Sequence, residues 1–191
     1  MSMDRREAIK RTAMIMGGLV FAPSAIGVLN GCRARPSLEW SPELFSAGEA
    51  HLVSVLSDVI LPADDTPGAR DLGVPAFIEE MVHQVYTEEN RTRFLDGLNA
   101  FDREAQNQLG SRFVDAAPEQ QYEFAESKNR EAIEGASGES ETPFFLIFKE
   151  LTMLGYFTTE TGATQVLRYE AVPGRYDGCI PFEEVGRTWA T

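Results

Sequence analysis

Thr142-Pro143-Phe144-Phe145-Leu146-Ile147-Phe148-Lys149-Glu150-Leu151-Thr152-Met153-Leu154-Gly155-Tyr156-Phe157 reads as a strongly apolar helix of a helical domain. Apolar residues recur three and four positions apart, in the series Phe144, Ile147, Leu151 and again Phe148, Leu151, Leu154, which makes one broad buried face. Thr142 is the expected cap, Pro143 the first helical position and Gly155 the stop. A segment this rich in aromatic residues belongs to a core more often than to a cofactor site.

The flanking sequence repeats the pattern. Ser46-Ala47-Gly48-Glu49 has capping-box spacing, and Leu52, Val53, Leu56, Val59 and Ile60 follow at helical intervals up to Leu61, ahead of Pro62. A second helix is expected from Pro75 with Phe77, Ile78, Met81, Val82 and Val85 inward. A third runs from Glu88 to Leu109, with Phe94, Leu95, Leu98, Phe101 and Ala105 on one face and Gly110 as the stop, and a fourth from Pro118 to about Ile133. Between the first two lies Pro62-Ala63-Asp64-Asp65-Thr66-Pro67-Gly68-Ala69, a turn-rich connection. Small acidic residues over 134–141 predict a solvated loop. Beyond Gly162 periodicity is lost, and Pro173, Gly174, Gly178 and Pro181 predict an irregular extended arm. The expected fold is all-α: a single domain over 46–191 of about five helices with that C-terminal arm, preceded by a linker at 32–45.

The first 31 residues have a different character. Arg5 and Arg6, with Ile9 and Lys10 after them, precede an uncharged, mostly apolar run from Thr12 to Leu29, which reads as a twin-arginine export signal. Asp4 and Ala8 depart from that motif at the positions of its hydroxyl residue and its Phe. Gly17, Gly18, Ala22, Pro23 and Gly27 soften the apolar run, which suits this route. Leu29-Asn30-Gly31-Cys32 resembles a lipobox, with Cys32 as the acylated residue. The expected location is therefore the periplasm, with the membrane reached through the signal or a lipid anchor.

Of the 17 Lys+Arg and 30 Asp+Glu, residues 1–31 hold four and two, leaving 13 positive and 28 negative groups and a net charge of −15 on residues 32–191. Such a surface repels nucleic acid and anionic headgroups, so nucleic acid is not an expected partner. Cys32 and Cys179 are the two cysteines, and acylation of the first would leave Cys179 unpaired.

No Cys-x-x-Cys-His, Gly-x-Gly-x-x-Gly, nucleophile elbow or His-Glu-x-x-His occurs. Asp64 and Asp65 with His51 or His83 are the residues from which a metal or acid-base site would be built. Asp before Thr-Pro-Gly more commonly closes a turn through its side chain.

The order of these landmarks resembles a family. A twin-arginine leader is followed by Ile60-Leu61-Pro62-Ala63-Asp64-Asp65-Thr66-Pro67-Gly68-Ala69 and Gly73-Val74-Pro75. Phe144-Phe145 and Leu151-Thr152-Met153-Leu154-Gly155-Tyr156-Phe157 come next, and Tyr169 to Cys179 closes the series. Over about residues 45–180 this is similar to the gluconate 2-dehydrogenase small subunit, the third or gamma subunit. The resemblance implies a chain without its own cofactor or catalytic residues, in complex with a large FAD-dependent subunit of the glucose-methanol-choline type, with a cytochrome c subunit or another acceptor taking the electrons. It also implies a role in assembly and co-export of the large subunit. The partner-binding candidates are Asp64, Asp65, Thr66, Pro67 and Gly68 on the loop, Tyr156, and Tyr169 and Tyr176 on the arm, since Tyr is favoured at interfaces. Two alternatives stand beside it: a periplasmic enzyme using Asp64, Asp65 and a His, and a lipoprotein that binds some other partner.

Overall fold

A computed structural model describes residues 40–136, 142–172, 174 and 178–190. Arg5, Arg6, Lys10, Cys32, Tyr176 and most of the acidic segment 134–141 lie outside the described residues. The fold is all-α: α1 (Ala47–Ile60), α2 (Val74–Glu80), α3 (Glu88–Leu109), α4 (Pro118–Gly135), α5 (Phe144–Phe157) and a single turn, α6 (Phe182–Val185).

Local signals start and stop these helices largely as expected. At α1 the Ser46 hydroxyl accepts from the Glu49 amide at 3.3 Å while Glu49 Oε2 accepts from the Ser46 amide at 2.9 Å, so two otherwise unpaired donors are satisfied reciprocally. Thr87 caps α3 by accepting from the Asn90 amide, and Gly110 ends it in the left-handed conformation, φ 75°. At α5 the expected cap moves by one residue. Pro143 itself is the N-cap, and its carbonyl accepts from the Leu146 and Ile147 amides. The Thr142 carbonyl instead accepts from the Arg93 guanidinium at 2.8 Å.

Gly155 does not stop α5, which continues to Phe157. A Cβ at Gly155 would stand 2.6 Å from the Phe77 ring, so this glycine lets α2 cross α5 closely. α5 packs against α1, α2, α3 and α4, which makes the quoted segment the hub of the bundle. Its Phe145, Phe148 and Leu151 are buried. Phe94 of α3 lies 5.3 Å from Phe144 and 6.2 Å from Phe148, ring centre to ring centre, and Phe101 is 5.0 Å from Phe113 and 5.1 Å from Phe124. The Phe94–Phe148 pair is stacked and the other three meet edge-on, and such pairs add roughly 0.5–1.5 kcal/mol each to the area they bury.

Three differences from the sequence reading have physical causes. α2 runs into a π turn, Met81–Val85, where the Tyr86 amide donates to the Met81 carbonyl five residues back. The wider turn shifts the register, so Val82 stays inside while Val85 swings out and is 64% exposed. Leu154, expected inside, is 45% exposed, because α5 is apolar on nearly every side and its neighbours cover the Phe148 and Leu151 side.

The third is the arm, which turns back on itself instead of running extended. After a π turn, Gly162–Val166, the Arg168 amide donates to the Thr188 carbonyl and the Ala190 amide to the Arg168 carbonyl, a single parallel bridge. The Arg168 guanidinium sits 4.4 Å from the Trp189 ring centre and donates to the Val185 carbonyl.

Candidate functional site

The connection from Leu61 to Val74 is built as a rigid projection. Asp64 Oδ1 accepts from the Thr66 amide at 2.8 Å and from the Thr66 hydroxyl at 3.0 Å, an Asx turn in which the Asp64 amide returns a bond to the Thr66 carbonyl. These bonds, the Thr66 amide first, hold the Asp64 carboxyl below its ordinary range. The Ala69 amide donates to the Leu61 carbonyl across the neck of the loop. Asp58 accepts from the Arg70 amide at 3.0 Å and pairs with the Arg70 guanidinium at 2.8 Å. Gly68 is buried in the neck, where a Cβ would stand 2.9 Å from both the Ala63 nitrogen and Asp58 Oδ1.

Tyr156 completes the support from below. Its hydroxyl donates to the Pro67 carbonyl at 3.0 Å and lies 3.1 Å from the Thr66 hydroxyl, while its ring is 4% exposed. Tyr156 is thus an internal anchor, and so is Gly68; neither offers a side chain to a partner. Of the other expected contact residues on this loop, Asp64, Asp65 and Pro67 are exposed and Thr66 is half-buried. On the arm, Tyr169 is 59% exposed and Cys179 is a free, exposed thiol.

The residues proposed for acid-base or metal chemistry do not converge. Among the described residues no group of three His, Cys, Asp or Glu side chains is close enough to hold an ion. His51 lies on α1, and burial, followed by the nearby Arg112, lowers its pKa below the ordinary value. His83 lies in the π turn, where its Nδ1 is shielded from water without a hydrogen-bond partner. No described helix is long and apolar enough to cross a membrane.

Two shallow grooves flank α5, and sequence reasoning missed both. The larger, about 480 Å³, is lined by Leu146, Met153, Leu154 and Phe157 of α5 together with Leu167 of the arm. The smaller, about 200 Å³, lies between α1, α4 and α5, with Val59, Ile60, Tyr122 and Phe145 in its walls. Lys149 lines both grooves, and its ammonium donates to Asn129 Oδ1 at 3.0 Å. Met153 is 42% and Tyr122 61% exposed, so these are open apolar surfaces. The signal available in advance was that α5 is apolar on nearly every side, so that the neighbours packed on it leave other apolar residues uncovered.

A family model described as gluconate 2-dehydrogenase subunit 3 matches residues 47–174. The match begins at the first residue of α1 and takes in the Leu61–Val74 loop, α5 and its grooves, and the first part of the arm. No curated protein and no solved structure matches the chain.

Proposed function

The chain belongs to the gluconate 2-dehydrogenase subunit 3 family, the small subunit of a dehydrogenase complex, and from that premise we propose that it assembles with and co-exports the large subunit. In this reading the large subunit is FAD-dependent and oxidises a sugar or alcohol. A cytochrome c subunit accepts the electrons, and the small subunit holds no cofactor of its own. The observation that carries the reading is the uncovered apolar face of α5, with Met153 and Leu154 open to solvent beside a groove. Apolar side chains gathered at an open groove on a strongly acidic chain offer a partner a surface to cover.

The twin-arginine leader supplies the export half of the proposal. A flavoprotein that acquires FAD before translocation needs a route for folded proteins, and a bound small subunit with Arg5, Arg6 and Lys10 would provide one signal for both. Cys32 would then fix the complex to the periplasmic face of the membrane through a lipid. The test is co-expression of the tagged chain with the large subunit, comparing the intact leader with Arg5→Lys/Arg6→Lys. The proposal expects the large subunit to co-purify and to stay in the cytoplasm with the double variant. Normal export of the large subunit beside the double variant would end the carrier role.

A further inference from the structure

The apolar face of α5 is also electrically distinct from the rest of the chain. Residues 40–136 carry seven Lys+Arg against 19 Asp+Glu, a net of −12, whereas residues 142–169 carry two of each and are neutral. The neutral stretch contains all of α5 and Leu167, and therefore the whole lining of the larger groove. Within that lining the charged side chains are one Lys149, bonded to Asn129, and one Glu150. A neutral apolar groove on an otherwise strongly acidic chain has the composition expected of the centre of a protein interface.

The charge distribution also selects the occupant. A second copy would bring a net charge of about −12 over its own residues 40–136 against a chain of the same charge, and like charges brought together oppose association. An anionic membrane surface is excluded by the same repulsion. A partner that places an apolar segment in the groove and basic residues around it satisfies both parts of the surface.

Resting on the subunit role above, we propose that the groove formed by Leu146, Met153, Leu154, Phe157 and Leu167 seats an apolar segment of the large dehydrogenase subunit. Basic residues of that subunit flank the segment and are drawn to the acidic chain. The binding energy is then concentrated on α5 and not on the loop at Asp64 and Asp65, from which the sequence reading expected contact.

The experiment uses the full chain co-expressed with its large subunit. Met153→Glu/Leu154→Glu places two charges in the groove at positions that already face water, so the fold is preserved and its urea midpoint serves as a check. Ile133→Glu, at a residue 57% exposed near the end of α4 and outside both grooves, is the control. The double variant is expected to lower recovery of the large subunit at least about tenfold, as loss of a buried apolar anchor does. The control should stay within about twofold. Recovery with the intact face should also fall as NaCl is raised, because the acidic chain acts through screened charge.

Undiminished recovery with the double variant overturns this assignment and leaves the subunit role standing. Failure of the unmodified chain to recover any large subunit removes both. A concentration-dependent dimer of the purified chain in sedimentation, abolished by the double variant while recovery of the large subunit is unchanged, would assign the face to a second copy instead.

Discussion

Glu79 offers the sharpest test of how this domain is held together. The side chain is 6% exposed on α2, and its Oε1 accepts from three successive backbone amides, Glu43 at 3.0 Å and Leu44 and Phe45 at 2.8 Å each. Its Oε2 accepts from the Trp40 indole at 2.6 Å. One carboxylate therefore ties residues 40–45, part of the stretch read from sequence as a linker, to the helical core. Glu79→Ala leaves all four donors without this acceptor. Water reaches the Trp40, Glu43 and Leu44 groups in part, but the Phe45 amide is buried and stays unpaired, so the change costs about 3–5 kcal/mol.

Glu79→Gln keeps the shape and one acceptor oxygen but turns an NH₂ toward a donor, which costs about 1–3 kcal/mol. With a urea slope of about 2 kcal/mol per molar, the alanine variant's midpoint falls by about 1.5–2.5 M. Far-ultraviolet circular dichroism measures it. In a Trp189→Phe background, the emission of Trp40 reports whether the segment has come loose before the helices unfold. An alanine variant with an unchanged midpoint and unchanged Trp40 emission would refute the latch.

Tyr156→Phe removes the hydroxyl that supports Pro67 and Thr66. It should cost about 1 kcal/mol and speed amide exchange at Thr66, with the α3 amides unaffected as the internal reference. Phe148→Ala, at a fully buried ring, should cost about 3–5 kcal/mol. Leu154→Ala on the open side of the same helix should stay within about 0.5 kcal/mol by urea denaturation, and equal costs would contradict the orientation of α5. His51, whose pKa is lowered chiefly by burial, binds its proton less readily folded than unfolded. Stability should therefore fall as pH drops from about 6.5 toward the folded value and level off below it. The midpoint of its ring resonances by NMR should lie below about 6.5, and a midpoint at or above that contradicts the burial.

The helices were legible because their signals are local. Ser46 and Glu49 lie one turn apart, Thr87 precedes a polar first turn, and Gly110 takes a conformation that costs other residues more, so each boundary follows from a few neighbouring residues. That an Asp side chain closes the turn was legible for the same reason, because an Asx turn closes within three residues, although the residue that closes it is Asp64 and not the Asp65 that precedes Thr-Pro-Gly. The π turn at Met81–Val85 and the return of the arm to Arg168 carry no comparable local mark. Both depend on which carbonyl lies within reach after the bundle has packed.

By itself the sequence determined an all-α domain, its principal helix boundaries and the turn chemistry of the Leu61–Val74 loop, all consequences of periodicity and of hydrogen bonds between near neighbours. Tertiary structure alone decided that Tyr156 points inward to hold the loop, that Leu154 points outward beside a groove, and that Glu79 secures residues 40–45. A helix apolar on all sides has no intrinsic inner face, and a carboxylate has no intrinsic partner 34 to 39 residues away. Each is settled when neighbouring helices cover one side and leave another to water.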